Sequence, residues 1–353
     1  MSEKFSQNPN VIGYDIFNEP WPANIYKEES LFAEPTKFDR EKLFPMAQKA
    51  NNIVREKDTQ KAIFFEAAQF PDTEPFLGGK TMPIGFPETP GGSDQVDRQV
   101  LNDHTYCCQA AGSMCDAGEP PLDKSKECRK FHFQKVEKRS EDADRLGVPL
   151  MFTEFGACFD GQECATEITN SADAFDSQLA SWSYSMYKSF SDFTTTGGTR
   201  EGMFNSDGTP QDLKLKAIAR TYAHAFQGTP SQMYFSTTDG SFYTEWEVDA
   251  AITEPTEIYM NKAIWYSQGF KAVASDATSA SDKVTWETKD GENYMQVVYD
   301  ADYLQSVDGQ KARVLLTPSI PAEEMTGIVQ EEGTIVDWSI EDAGNTSQCS
   351  FNF

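Results

Sequence analysis

The sequence predicts an α/β domain followed by an antiparallel β-sandwich, with the texture changing near Gly228-Thr229-Pro230. Three observations support this division. Between residues 10 and 228, short apolar runs alternate with longer amphipathic stretches, the pattern of parallel strands joined by right-handed helical crossovers. Beyond about Met233, period-two runs are broken by the turn dipeptides Asp239-Gly240, Asp290-Gly291 and Asp308-Gly309. A hydrophobic content of 39% with 12% aromatics over 353 residues suffices for one large core and a smaller one.

Strands are expected at Val11–Asn18, Ala62–Ala67, Val100–Tyr106, Leu150–Glu154 and Leu179–Tyr184, runs of the length and apolarity of buried parallel strands. Phe38–Lys57 carries Phe44, Ala47, Ile53 and Val54 on a helical period. Glu127–Leu146 and Thr209–Phe226 read as helices too, the latter through Leu213, Leu215, Ile218, Tyr222 and Phe226. In the second domain, Ser241–Val248, Lys283–Thr288, Tyr294–Tyr299 and Ala312–Leu316 alternate as short strands of a sandwich. The expected domains are 1–230 and 231–353.

The formal charge of −26 argues against a nucleic-acid partner, which demands clustered Lys and Arg, and against electrostatic adsorption to anionic lipid. A well-solvated acidic surface accounts for it. No apolar run reaches the length of about 18 residues needed for a membrane-spanning helix. Met1-Ser-Glu-Lys-Phe-Ser-Gln7 lacks the apolar core of a secretory leader, yet seven cysteines and the sequon Asn345-Thr346-Ser347 suit a secreted or lumenal protein. A chain truncated at its N-terminus would reconcile the two. Cys107, Cys108, Cys115 and Cys128 crowd one region, and Cys158 and Cys164 form a second close pair. None falls in a C-x-x-C pair, so local disulfides of open connectivity are expected rather than a metal site.

Two acids end two of the strands. Asn18-Glu19-Pro20 closes the first, and Thr153-Glu154-Phe155-Gly156 closes the fourth. The C-terminal edge of a parallel sheet is where α/β folds place their chemistry, and paired carboxylates there suit glycosyl transfer to water. Either acid could instead be a strand-terminal residue without a task, and Glu154 could cap a helix. His104 and Tyr106 lie two apart on one face of the third strand, at a strand end where a partner for the carboxylates would sit. His104 also reads as a hydrogen-bonded core histidine, and Trp182 as core or as a sugar platform.

Asn-Glu-Pro, His-x-Tyr, Glu-Phe-Gly and Trp closing successive strands resembles glycoside hydrolase family 5. Gly13-Tyr-Asp-Ile-Phe-Asn-Glu-Pro-Trp21, Gly85-Phe-Pro-Glu-Thr-Pro-Gly-Gly92 and Arg220-Thr-Tyr-Ala223 are similar to its endoglycoceramidase branch. The resemblance implies a (β/α)8 barrel of which this chain holds strands 4–8, about 100 residues of strands one to three being absent before Met1. It implies a retaining hydrolase with Glu19 as acid/base and Glu154 as nucleophile. Asn18 would bind the sugar 2-hydroxyl, His104 and Tyr106 would support the carboxylates, and Trp182 would floor the adjoining subsite. No cofactor and no metal are implied. The partner is a glycolipid or oligosaccharide substrate, with peripheral contact to a lipid surface and a monomeric state when full length. Glucan, glucosylceramide or steryl glucoside are sibling substrates, and a non-catalytic glycan- or lipid-binding fragment is the other class. Phe70, Phe76, Leu77, Met82, Ile84 and Phe86, within residues 63–92, would line a lipid groove or pack as a lid on the helices.

Overall fold

The computed structural model describes residues 1–34, 36–69, 81–107, 120–188, 201–280, 282–288 and 292–319, and the chain divides into two compact units, Met1–Thr209 and Pro210–Phe353. The first unit is built on five parallel strands: β1 Gly13–Asp15, β2 Ala62–Glu66, β3 Gln99–Thr105, β4 Leu150–Phe155 and β5 Ser181–Trp182. They lie side by side in sequence order, each hydrogen-bonded in parallel to the next. Their C-terminal ends therefore share one edge, and residues just beyond them converge there. Ile63, Phe64, Phe65, Leu101 and Phe152 are buried, as strands covered on both faces require. Gly13 is needed for the closeness of β1 and β2, since a Cβ there would stand 2.4 Å from the Ala62 carbonyl oxygen.

The helices Phe44–Arg55, Ser125–Leu146 and Gln162–Ser177 belong to this unit. The long Ser125–Leu146 helix buries Cys128, His132, Val136, Arg139 and Ala143, positions spaced three or four apart, with Lys135 beside them. It stops at Gly147, whose φ of 69° supplies the left-handed C-terminal turn. Among the described residues two disulfides fasten the unit. Cys107–Cys128 ties the segment after β3 to the first turn of that helix, and Cys158–Cys164 ties the loop after β4 to the next one. Cys108, Cys115 and Cys349 lie outside the described residues, as does the sequon.

Some sequence-based expectations change. The fifth strand shortens from Leu179–Tyr184 to Ser181–Trp182, because Leu179 turns into the left-handed region at φ 53°. The Gln162–Ser177 helix was not legible. Much of its buried face is small (Ala165, Ser171, Ala172, Ala174), and only Ile168 and Phe175 mark a helical period. Thr209–Phe226 is not one helix. Helical structure ends at Ile218, and β6, Tyr222–Ala225, joins an antiparallel sheet. Tyr222, Leu215 and Ile218 mimic a helical period, whereas the local alternation of Tyr222 and His224 with Ala223 is the one obeyed. The break between units accordingly falls at Thr209/Pro210 rather than near residue 230.

Among its described residues the second unit has two four-stranded antiparallel sheets. The first joins Phe270–Asp276, Lys311–Pro318, Phe242–Val248 and Gly228–Phe235; the second joins Val284–Thr288, Tyr294–Tyr299, Thr256–Tyr259 and β6. One hydrophobic cluster takes Phe235, Phe242, Trp246 and Val314 from the first sheet and Ile258, Val284, Met295 and Val297 from the second. No helix among the described residues is long and apolar enough to cross a membrane.

The segment 81–86 packs inward. Met82, Ile84 and Phe86 are buried, and Phe86 stacks on Phe65 at 5.5 Å and meets Phe44 edge-on at 5.4 Å. These three belong to the core and not to a lipid groove; Phe70, Phe76 and Leu77 lie outside the described residues.

Candidate active site

The C-terminal edge of the parallel sheet gathers three carboxylates, a histidine and a tyrosine. Beyond β1 the chain turns sharply through Glu19, whose φ of 45° is left-handed and unfavourable for a residue with a side chain. Its backbone N–H donates to Glu66 Oε2 at 3.2 Å, from the last residue of β2. On β3, Asn102 and His104 share one face, with Tyr106 just beyond.

His104 is 1% exposed and sits at the centre. Its Nδ1 lies 2.9 Å from Glu19 Oε1 and 3.7 Å from Glu154 Oε2. Its Nε2 lies 3.1 Å from Thr153 Oγ1. Thr153 donates its hydroxyl proton to Asn102 Oδ1 at 2.7 Å, because the Asn102 amide nitrogen donates elsewhere, to Asp15 and Glu66 at 3.0 Å each. The threonine oxygen must then accept from Nε2–H, which fixes the tautomer of His104. Nδ1 is thereby left to exchange a proton with Glu19: either the carboxyl donates to it, or it donates to the carboxylate. Burial works against the imidazolium, but the hydrogen bond to Glu19 and the charges of Glu66, Glu154 and Asp103 outweigh it and raise the pKa.

Tyr106 donates its phenol proton to Glu154 Oε2 at 2.9 Å. Burial, then the charge of Glu154, pushes the phenol pKa up, so it remains a donor. Glu154 reaches the site because the β3–β4 register shifts at Asp103/His104. Asp103 pairs with Phe152 and His104 with Glu154, which leaves Thr153 as an extra residue. Thr153 and Glu154, neighbours in sequence, can both face His104. Gly156 then turns at φ 92°, and a Cβ there would stand 2.3 Å from the Tyr184 ring. The result is a carboxylate oxygen of Glu19 and one of Glu154 within 4.8 Å of each other, with His104 between them.

The opposite face of β3 is wired differently. Asp103 is paired with Lys135 at 3.3 Å and with Arg139, both from the Ser125–Leu146 helix. Burial raises its pKa, but these cations prevail and hold it down at about 2. Thr105 meets His132 at 2.8 Å, and His132 meets Glu167 at 2.7 Å on the next helix. Glu66, on the site side, is pushed up to about 8, by burial first, with the charges of Asp15 and Asp103 adding to it and His104 opposing. Asp15 is raised too, chiefly by burial.

Four of the six residues singled out from the sequence come together: Glu19 is hydrogen-bonded to His104 and Tyr106 to Glu154, with His104 Nδ1 3.7 Å from Glu154 Oε2. Asn18 is exposed beside Glu19, and Trp182 is half-buried on β5, edge-on to Phe155 at 5.3 Å. Asp15, Glu66, Asn102 and Thr153 were missed. Glu66 carried a signal: the run Ala62-Ile-Phe-Phe-Glu66 also ends on an acid. Asn102 precedes His104 by two, the spacing of one strand face. Glu19, His104 and Glu154 could together offer three donors to a cation. However, Nε2–H points at Thr153, and the Glu19–Nδ1 hydrogen bond would have to break first.

Residues 1–191 match the family model of cellulase (glycosyl hydrolase family 5), and residues 220–307 match that of the glycoside hydrolase family 5 C-terminal domain. The chain belongs to glycoside hydrolase family 5. Within the family it is similar to an endoglycoceramidase of Cyanea nozakii, 28% identical over 288 residues that make up 81% of this chain and 51% of that one. An endoglycoceramidase of Hydra vulgaris is 28% identical over 76% of this chain and 46% of its own length. The chain thus spans about half the length of the curated relatives it matches. Among solved structures, endo-glycoceramidase II from Rhodococcus sp. in a cellobiose-like isofagomine complex superposes with a TM-score of 0.63 at 21% identity, covering 90% of this chain and 61% of that one. Sterylglucosidase 1 of Cryptococcus neoformans has a TM-score of 0.55 at 14% identity, covering 80% and 44%. Both likenesses are of fold: a family 5 barrel-like α/β domain with C-terminal antiparallel sheets.

Proposed function

We propose that this chain carries the catalytic pair of a retaining β-glycosidase that cleaves the bond between oligosaccharide and ceramide in glycosphingolipids. The observation that carries the reaction type is the spacing of Glu19 and Glu154, whose oxygens approach within 4.8 Å. Retaining enzymes hold their two carboxyl groups about 5–5.5 Å apart, and inverting ones leave room for a water at about 6.5–9.5 Å. The substrate class rests on likeness: the matched relatives are endoglycoceramidases, and one solved endo-glycoceramidase II is a complex with ganglioside GM3.

In this reading Glu154, held by the Tyr106 hydroxyl, attacks the anomeric carbon and forms the glycosyl–enzyme ester. Glu19, hydrogen-bonded to His104 Nδ1, delivers its proton to the departing ceramide oxygen. The Glu19 carboxylate then takes a proton from water as that water opens the ester, which restores both groups. Asn18 contacts the sugar 2-hydroxyl, and Trp182 floors the neighbouring subsite. The five parallel strands correspond to strands four to eight of the barrel, with the acid/base after the fourth and the nucleophile after the seventh.

Incubation with a 2-deoxy-2-fluoro-β-lactosyl fluoride, followed by peptide mapping, is expected to find the label on Glu154. A folded chain left unlabelled would overturn the reading for this protein and favour a non-catalytic glycan-binding role. Release of ceramide from lactosylceramide, set against glucose from glucosylceramide or from a steryl glucoside, decides the aglycone.

A further inference from the structure

We propose that Glu66 is the positioning residue of Glu19: from the end of β2 it pins the turn that carries the acid/base and, through Asn102, ties that turn to the strand carrying Glu154. The inference takes the chemical role of Glu19 from the reading above, whereas the placement stands on geometry alone.

Glu66 is 3% exposed, and both of its oxygens are occupied. Oε2 accepts the backbone N–H of Glu19 at 3.2 Å, and Oε1 accepts from Asn102 Nδ2 at 3.0 Å, with His104 Nε2 at 3.5 Å. The first bond falls on the one residue of the acid/base turn that most needs holding. A non-glycine residue at φ 45° relaxes toward the right-handed or extended regions unless its neighbours over-determine it. A relaxed Glu19 would swing its carboxyl away from His104 Nδ1. The second bond orients the Asn102 amide, whose oxygen accepts both the N–H of Thr153 at 3.2 Å and its hydroxyl at 2.7 Å. Thr153 is the extra residue that lets Glu154 face the site. One buried carboxyl therefore holds the acid/base turn directly and reaches the nucleophile turn only through Asn102, whose amide also donates to Asp15 at 3.0 Å and so keeps an anchor of its own.

The contrast with Asp103 shows that Glu66 is not an ordinary buried ion pair. Asp103 is answered by Lys135 and Arg139. Glu66 is answered, among the described residues, by two neutral donors and by His104, and the carboxyl group of Asp15 is also close by. Such a group holds its proton into the neutral range and can donate it to Asp15 while still accepting from Glu19 and Asn102. An uncompensated carboxyl is expensive to bury. Its retention at this place is explained by the two bonds it makes.

The test uses two variants of the full chain. Glu66→Met fills the volume with no acceptor, and Glu66→Gln keeps one acceptor and a donor for Asp15. Departure of 2,4-dinitrophenolate needs no proton, whereas departure of phenolate does. On phenyl β-lactoside, kcat/KM is expected to fall about 100-fold in Glu66→Met and about 10-fold in Glu66→Gln, the scale of a misplaced general acid. On 2,4-dinitrophenyl β-lactoside both should stay within about threefold of the unaltered chain. Equal losses on both substrates, or none, would overturn the proposal. Hydrogen exchange of the Glu19 amide supplies a readout free of turnover. It should speed up at least about tenfold in Glu66→Met while β3 amides keep their protection, and an unchanged Glu19 amide overturns the placement. If the unaltered chain cleaves neither lactoside but the Glu19 amide responds, the glycosidase reading fails and the placement of Glu66 is supported.

Discussion

His104 is the residue on which the site turns. A single imidazole touches the hydrogen-bond network of all three site carboxyls, and its tautomer is set by Thr153 and Asn102 rather than by the acids. This division of labour separates the roles of the two glutamates. Glu19 faces the nitrogen that can take or give a proton, and Glu154 accepts from the phenol of Tyr106. On the roles proposed above, Glu19→Gln is expected to lower kcat/KM on lactosylceramide by about 10²–10⁴-fold, the scale for loss of a general acid. Tyr106→Phe removes a hydrogen bond to a carboxylate and should cost about 10- to 100-fold, measured by ceramide release. A Tyr106→Phe protein with unchanged turnover would leave Glu154 held by something else. His104 and Tyr106 were legible as a pair because strand periodicity places i and i+2 together. Glu66 stands out less, because Ala67-Ala68 follows it in place of the Pro20 or Gly156 that breaks the chain close behind Glu19 and Glu154.

At the scale of elements, the bulge between β3 and β4 does what uniform pairing could not. In regular alternation Thr153 and Glu154 would face opposite sides of the sheet. The shift at Asp103/His104 brings both to one side, and Gly156 completes the bend against Tyr184. Gly156→Ala must meet that ring at 2.3 Å with an unfavourable φ of 92°, so a drop of at least about 2 kcal/mol in denaturant stability is expected. The disulfides lie at the same edge of the sheet. Cys107–Cys128 closes 21 residues and Cys158–Cys164 closes six. By chain entropy their removal costs about 3 and about 2 kcal/mol respectively, which urea unfolding of the double-serine variants would measure. The loop beyond β4 and the helix it is pinned to were invisible as a unit in the sequence, where only the nearness of the two cysteines could be read.

For the whole molecule, the buried acids set how stability follows pH. Glu66 titrates near 4.5 when unfolded and at about 8 when folded, so the folded chain holds the extra proton between those values. Its contribution is complete below about 4.5 and is lost as pH rises toward 8. Asp103 works in the opposite sense, from 3.8 unfolded to about 2 folded: its contribution is present above 3.8 and lost as pH falls toward 2. The melting temperature is therefore expected to peak in mildly acidic buffer and to decline toward pH 8. Glu66→Gln should flatten that decline, and a decline of equal slope in the variant would assign it to other groups. The net charge of −26 adds a second trend. Salt at about 0.15 M shortens the screening length to about 8 Å and should raise the melting temperature at neutral pH.

Periodicity and punctuation are legible in the residues alone. Apolar runs of strand length, ended by Asn18-Glu19-Pro20 and by Glu154-Phe155-Gly156, specified a parallel sheet with two acids at its edge, and the turn dipeptides marked a change to antiparallel strands. Both are local properties, written in residue spacing. Three features emerge only on folding: a bulge turns Glu154 toward His104, Glu66 rather than Asp103 accepts the Glu19 N–H, and Tyr222–Ala225 leaves its helical pattern for a sheet. These depend on which strand edge, helix face or cation lies opposite, and burial acts between segments far apart in the chain. Glu66 meets Glu19 across 47 residues, a distance along the chain over which no local pattern reaches.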